Sequence, residues 1–200
     1  MVGKEYNSFK QLIYEGEYLK GKKNGKGKEY DSKVILIFEG EYLKGERTGK
    51  GKHYDMNGTL IYEGDYLNGE RNGKGKEYDY DGKLIFEGEY LNGKRWNGQG
   101  KEYFKNGKLE FVGEYLNGKI NGKGKEYFEG DLVFEGEYLN NKKWKGKGYD
   151  INGSIIYELN NNNQGKEVDM SGELLYEGEY LNGERNGNGK EYDAFNRLIF

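Results

Sequence analysis

Side chains able to do chemistry are plentiful in this sequence, but they recur instead of converging. The single histidine, His53, stands in Gly51-Lys52-His53-Tyr54, where a parallel segment, Gly75-Lys76-Glu77-Tyr78, has glutamate. Its expected role is a repeated surface position. Asp and Glu number 35, against 32 Lys and Arg, and they return in register. Paired carboxylates do acid–base work when their surroundings push their pKa values apart. Evenly spaced, solvated carboxylates beside lysines lack that asymmetry. The segment Gly21-Lys22-Lys23-Asn24-Gly25-Lys26-Gly27 looks superficially like a phosphate-cradling loop. That loop needs a Ser or Thr after its Lys and a helix after that, and neither follows here. Asp79-Tyr80-Asp81-Gly82 begins like a calcium loop without its remaining ligands or closing Glu. With no cysteine there is no thiolate ligand, nucleophile or disulfide. The reading assigns no catalytic residue, no cofactor and no metal site, and expects a protein that is not an enzyme.

Composition narrows the class further. The 200 residues include 35 Gly, 20 Tyr, 9 Phe and no Pro, with a net charge of −3. Disordered chains combine high net charge with few aromatics, so a folded chain that buries rings is expected. No apolar run approaches the ~18 residues of a membrane-spanning helix. Interleaved Lys and Glu leave no basic footprint for nucleic acid. The start, Met1-Val2-Gly3-Lys4-Glu5-Tyr6, has no apolar signal region. A cytoplasmic location is therefore expected, with a position peripheral to membrane or cytoskeleton also compatible.

The elements that position these residues come from a repeat. The string [YF]-E-G-[ED]-Y-L recurs with its first aromatic at Tyr14, Phe38, Tyr62, Phe86, Phe111, Phe134, Tyr157 and Tyr176, the copy at Tyr157 being degenerate. One array over residues 1–200 is expected, opening with a half repeat at 1–13. Each unit carries two turn signals, an N-G-x-x-N-G region such as Asn68 to Gly73 and a D-G or N-G pair such as Asp81-Gly82. These dipeptides supply the positive φ of tight hairpins. Between them, Leu60 to Tyr66 and Gly73 to Tyr78 alternate with period two, which means strand. One hairpin per repeat follows, stabilised by stacking on its neighbours. Parity puts Tyr62, Gly64 and Tyr66 on one face with Gly73 and Gly75. Glu63, Asp65, Lys74, Lys76 and Tyr78 fall on the other. The glycines leave room for rings to lie flat, while opposite charges pair across strands.

The pattern [YF]-x-G-x-[aromatic]-x-x-G-x-x-x-G-x-G resembles the MORN repeat (membrane occupation and recognition nexus). Phe38 to Gly51 matches it position by position, as do residues 62–75 and 176–189. The family's Trp at the fifth position is Tyr here, at Tyr18, Tyr42, Tyr66, Tyr90, Tyr115, Tyr138 and Tyr180. The chain is thus similar to a Tyr-rich variant that includes antitoxin-like proteins. The resemblance implies an all-β fold: a single elongated, twisted antiparallel sheet of stacked β-hairpins with an aromatic-lined groove.

Function is then expected from that groove, a protein–protein interaction scaffold with Tyr42, Tyr66, Tyr90, Tyr115 and Tyr138 as its floor. Trp96 and Trp144, each read as an extra residue in a first turn, are placed at its rim. The alternative for the rings is that they pack on one another as the only core. Partner classes are a protein or peptide, with end-to-end self-association, antitoxin-like neutralisation and a lipid surface as alternatives. The shortened strand after Trp144 is expected to keep its parity. The unit at 157 is expected to form a short hairpin with an Asn-rich tip.

Overall fold

Two kinds of turn recur between the strands of the described residues. At Asn68-Gly69 both residues have positive φ, 51° and 85°, the geometry of a two-residue turn whose twist suits a hairpin. The same geometry recurs at Lys20-Gly21, Lys44-Gly45, Asn92-Gly93 and Asn117-Gly118. The second kind is longer. Asp79 Oδ1 accepts the backbone N–H groups of Asp81 and Lys83, at 3.0 and 2.8 Å, and Asp31, Asp55, Asp150, Asp169 and Asp193 do the same work. The second Asn-Gly of the N-G-x-x-N-G region is not a turn. Gly73, at φ 93°, lies inside a strand as a bulge, where positive φ re-aims the chain without reversing it.

The structure, a computed structural model, describes all residues except Asn161, Asn182, Ala194 and Phe200. Asn161 of the Asn-rich tip therefore lies outside the described residues. Seventeen strands and no helix are found among those described. The first nine are β1 (Val2–Tyr6), β2 (Leu12–Leu19), β3 (Lys22–Tyr30), β4 (Leu36–Leu43), β5 (Glu46–Tyr54), β6 (Leu60–Leu67), β7 (Glu70–Tyr78), β8 (Leu84–Leu91) and β9 (Lys94–Tyr103). They are followed by β10 (Leu109–Leu116), β11 (Lys119–Phe128), β12 (Asp131–Leu139), β13 (Lys142–Tyr149), β14 (Ile155–Leu159), β15 (Gln164–Val168), β16 (Leu174–Leu181) and β17 (Glu184–Glu191). All belong to one antiparallel sheet of consecutive hairpins, as the hairpin reading requires. By packing, the chain divides inside β9 into two compact units, Met1–Gly98 and Gln99–Phe200.

In the first unit the ladder is regular. Glycine faces glycine from strand to strand: Gly16↔Gly27, Gly27↔Gly40, Gly40↔Gly51, Gly51↔Gly64, Gly64↔Gly75 and Gly75↔Gly88. A Cβ on Gly64 would lie 2.5 Å from Gly75 Cα, and one on Gly75 only 2.6 Å from Tyr62 Cε2. The ring therefore lies flat against a patch of bare backbone, and the absent side chain is what makes the space. Tyr14, Phe38, Tyr62 and Phe86 are buried this way. Tyr14, Phe38 and Tyr62 are each met edge-on by the following hairpin's tyrosine, as in Phe38–Tyr66, with centroids 5.1 Å apart and planes at 84°, a favourable arrangement for aromatic quadrupoles.

The second unit departs from this rule in two linked places. Leu159 stands opposite Gly165, where the other hairpins have glycine, and it is buried. Tyr157 cannot lie under its own strand pair and instead stacks on Phe134, 6.1 Å away at 17°. The room comes from Gly148, which replaces the usual glutamate; a Cβ there would fall on the Tyr157 ring. Parity survives the shortened strand, since Lys147 still faces Glu135 and Glu158. The short hairpin at 157 is β14–β15.

Candidate functional site

The ring face is sealed by charge. In strand β7 the glutamate after Gly73 and Gly75 has their parity, so Glu77 faces Tyr62 instead of joining the solvated ladder. Tyr90 donates its hydroxyl to Glu77 at 3.0 Å, and Arg95 donates Nε to the same carboxylate at 2.7 Å. The motif repeats as Tyr18–Glu5–Lys23, Tyr138–Glu126–Lys143 and Tyr180–Glu167–Arg185. Each cation also lies over a ring: Lys23 over Tyr14 at 4.1 Å, Arg47 over Phe38 at 4.1 Å and Arg71 over Tyr62 at 4.4 Å. Such contacts contribute roughly 0.5–2 kcal/mol, more when desolvated. Burial would raise the carboxyls of Glu29 and Glu77, but Arg47 and Arg95 outweigh it and hold both below the usual range. Burial, aided by the facing glutamates, drives the hydroxyls of Tyr42, Tyr90 and Tyr138 far up.

This placement corrects the expected groove. Tyr42, Tyr66, Tyr90 and Tyr138 are between 2% and 5% exposed and pack as core, not as an open floor. Tyr115 is half-buried and donates to Glu102. Trp96 and Trp144 do not sit on turns; they lie in β9 and β13, Trp96 half-buried and Trp144 37% exposed. The insertion at Trp144 is absorbed as a bulge, because Tyr138 faces Lys143 while Glu137 faces Lys145.

His53 is corrected too. It faces Tyr62 on the ring side, where its repeat-mates are glutamates. Burial pushes its imidazolium down to about 4, with Arg47 and Arg71 adding repulsion. Tyr66 Oη, like Tyr42 Oη, is buried without a hydrogen-bond partner among the described residues. Arg71, which lies beside Tyr66, also donates to Glu77 at 3.3 Å. In the two lookalike segments, Gly21 is a turn and Lys22 to Gly27 run along β3, while the Asp79 carboxylate accepts the N–H groups of its own turn. No group of three metal-ligating side chains gathers among the described residues.

The open concavity of the first unit lies on the opposite face. It is a trough of about 930 Å³ whose floor is the glycine row Gly16 to Gly88. One bank is an unbroken cross-strand row: Glu15, Lys28, Glu39, Lys52, Glu63, Lys76 and Glu87. The other bank pairs Lys26 with Glu41, Lys50 with Asp65 and Lys74 with Glu89. Outside the first bank, Tyr30, Tyr54 and Tyr78 donate to Glu15, Glu39 and Glu63 at 2.6–2.8 Å. The Tyr30 and Lys4 bonds hold the Glu15 carboxyl below its usual range. Chemically the trough offers apolar backbone methylenes, ammonium donors and carboxylate acceptors. Sequence parity had identified both charged banks; it gave no sign that their face, and not the ring face, would be the open one.

Comparison with known proteins agrees with this architecture. The MORN repeat model matches residues 14–33, 38–60, 62–83, 86–108, 111–131 and 176–194, more than half of the chain. No curated protein matches. Among solved structures, a chain of the complex titled "Crystal Structure of TcdB2-TccC3-Cdc42" aligns with 99% of this chain at 15% identity and a TM-score of 0.27. This chain spans about 10% of that one's length, and a score so low carries no argument. The repeated aromatic–glycine hairpins and the six matched segments lead to one conclusion: the chain belongs to the MORN-repeat family.

Proposed function

We propose that the chain is a non-enzymatic scaffold that docks an extended polypeptide in the glycine-floored trough of its first unit. MORN repeats are in general interaction modules for proteins or membranes. The observation that carries the narrower reading is the separation of the two faces: the rings are spent on the core, while on the other face a trough runs between two rows of Lys and Glu side chains. An extended chain suits it because the floor positions are directed to the ring face and no side chain projects from them into the trough. The lysine and glutamate stems provide contact area on both sides and the head groups provide polar partners.

The test is a nuclear magnetic resonance titration of the full chain with 12-residue peptides selected from a random library against it. Amide signals of Gly27, Gly40, Gly51, Gly64 and Gly75 shift together if the reading holds. Shifts confined to the turns, or none with any selected peptide, contradict it. Co-sedimentation with anionic vesicles, unaffected by substitutions in the trough, would favour a lipid surface instead.

A further inference from the structure

We propose that the ring face of the first unit binds a carboxylate between Arg47 and Arg71, at the step of its charge ladder where the chain itself provides no acid. This face lies opposite the trough, so the site stands or falls apart from the docking reading above.

The neighbouring steps set the pattern. A ring-face glutamate meets a tyrosine 13 residues on, a cation 18 residues on and a cation six residues back. Glu77 takes Tyr90, Arg95 and Arg71 in this way. Glu29 takes Arg47 and Lys23, with the Tyr42 hydroxyl beside it. A cation of the ladder can thereby bridge two carboxylates. Lys23 lies 3.6 Å from Glu5 and 3.5 Å from Glu29, and Arg185 binds both Glu167 and Glu191. At position 53 the same offsets give Tyr66, Arg71 and Arg47, but the residue is histidine. From Glu5 to Arg95 the signs alternate through Lys23, Glu29 and Arg47 and again through Arg71 and Glu77, while two arginines meet across a neutral imidazole.

The groups around that imidazole keep donors to spare. Arg47 reaches one carboxylate, Glu29, and Arg71 reaches one, Glu77, although a guanidinium carries five N–H donors. The Tyr66 ring stands edge-on to Phe38 and Tyr62, with centroids 5.1 and 5.4 Å away. Arg47 and Arg71 cover those same two rings at 4.1 and 4.4 Å. Both guanidinium groups are close enough to act on the Tyr66 hydroxyl and to oppose a proton on His53. Tyr66 Oη is buried and unpartnered among the described residues. Tyr42 Oη shares that state but has Glu29 at its side, whereas the charged neighbours of Tyr66 only donate. The two arginine side chains remain 22% and 21% exposed, so a ligand reaches them without opening the sheet.

The gap selects the ligand's chemistry. One negative charge is missing, and planar guanidinium forks match a carboxylate. Phosphate would bring up to two charges where the ladder lacks one, and a cation is repelled by both arginines. A small free carboxylate and the acidic side chain of a bound polypeptide share the group required.

The experiment follows the Nε–H signals of Arg47, Arg71 and Arg95 in the full chain by nuclear magnetic resonance. Sodium acetate replaces sodium chloride at constant ionic strength, and in a second arm acetyl-Gly-Glu-Gly-amide is added beside its Gln counterpart. Arg47 and Arg71 are expected to shift together and saturably, with Arg95 still. His53→Glu, which places the chain's own carboxylate in the gap, is expected to abolish the shift, and His53→Gln to retain it. A tripeptide at least tenfold tighter than acetate identifies a polypeptide's acidic side chain as the source; comparable or weaker binding identifies a free small carboxylate. No saturable shift with either probe, equal shifts with the Gln tripeptide, or a response that persists in His53→Glu overturns the proposal.

Discussion

The two units use the same hairpin but treat its glycines differently. In Met1–Gly98 the glycine row is unbroken and the trough above it is continuous, about 930 Å³. In Gln99–Phe200 Leu159 interrupts the row, and two smaller concavities remain, about 510 Å³ beside Gly113–Gly146 and about 500 Å³ beside Gly165–Gly189. The ring layer differs in step. The first unit covers Tyr14, Phe38, Tyr62 and Phe86 with Lys23, Arg47, Arg71 and Arg95. In the second, Lys143 and Arg185 cover Phe134 and Tyr176 in the same way, but in the Phe111 hairpin Ile120 takes the cation's place and packs against the core. The hairpin that carries a side chain at this central position is the one whose ring has another place to go. Leu159 and Gly148 are such a matched pair, one filling the space and the other receiving the displaced Tyr157.

The largest test of this contrast is Gly75→Val. The new side chain meets the caged Tyr62 ring, which has no second site, so a loss of at least ~3 kcal/mol is expected. Chemical denaturation should show the first unit unfolding early. A loss under ~1 kcal/mol would mean that the ring can move and that the glycine rule is not steric. Next comes Leu159→Ala, which opens a cavity in the second unit's core and should cost about 2–3 kcal/mol. Gly148→Glu should cost a similar amount, by expelling Tyr157.

His53 separates the repeats by pH. Its protonation is favoured in the unfolded chain near 6.5 and in the folded chain only near 4. The unfolded state therefore binds more protons in between, and stability falls as pH drops from about 6.5 towards 4, by on the order of 2 kcal/mol. The glutamates of the ring face, held low in the folded state, add their loss only below about 4.5. His53→Glu gives Tyr66 and Arg71 the carboxylate that other repeats have. It should stabilise the chain by about 1–2 kcal/mol at pH 7 and abolish the slope between pH 6.5 and 4.5. A variant with an unchanged slope would place the titration elsewhere. The smallest effect is expected from Ile120→Arg, which adds a cation over Phe111 and should change stability by no more than ~1 kcal/mol.

Much of this was legible in the residues. Turn dipeptides and period-two alternation gave the hairpins, and parity put Tyr62 with Gly64 and Glu63 with Lys76. The remainder needed the third dimension. Arg95 meets Glu77 across two hairpins, 18 residues apart, a relation that no strand-level pattern displays. The parity of Glu77 with Gly73 and Gly75 was the one available signal, and it also applies to His53. Asn72-Gly73 reads as a turn because the dipeptide suits both a turn and a bulge. The aromatic-lined groove implied by the resemblance assumed that rings on one face stay open, but edge-on packing between hairpins and the cations over them close that face.

The central claim is that this protein keeps its rings inside and presents glycine backbone. Proton relaxation by a dissolved gadolinium chelate tests it directly on the free chain. Strong relaxation is expected at the Hα protons of Gly16, Gly40, Gly64 and Gly88, the half-buried members of the row, with the ring protons of Tyr42, Tyr66 and Tyr90 spared. Fast relaxation of those rings beside protected glycines would contradict it.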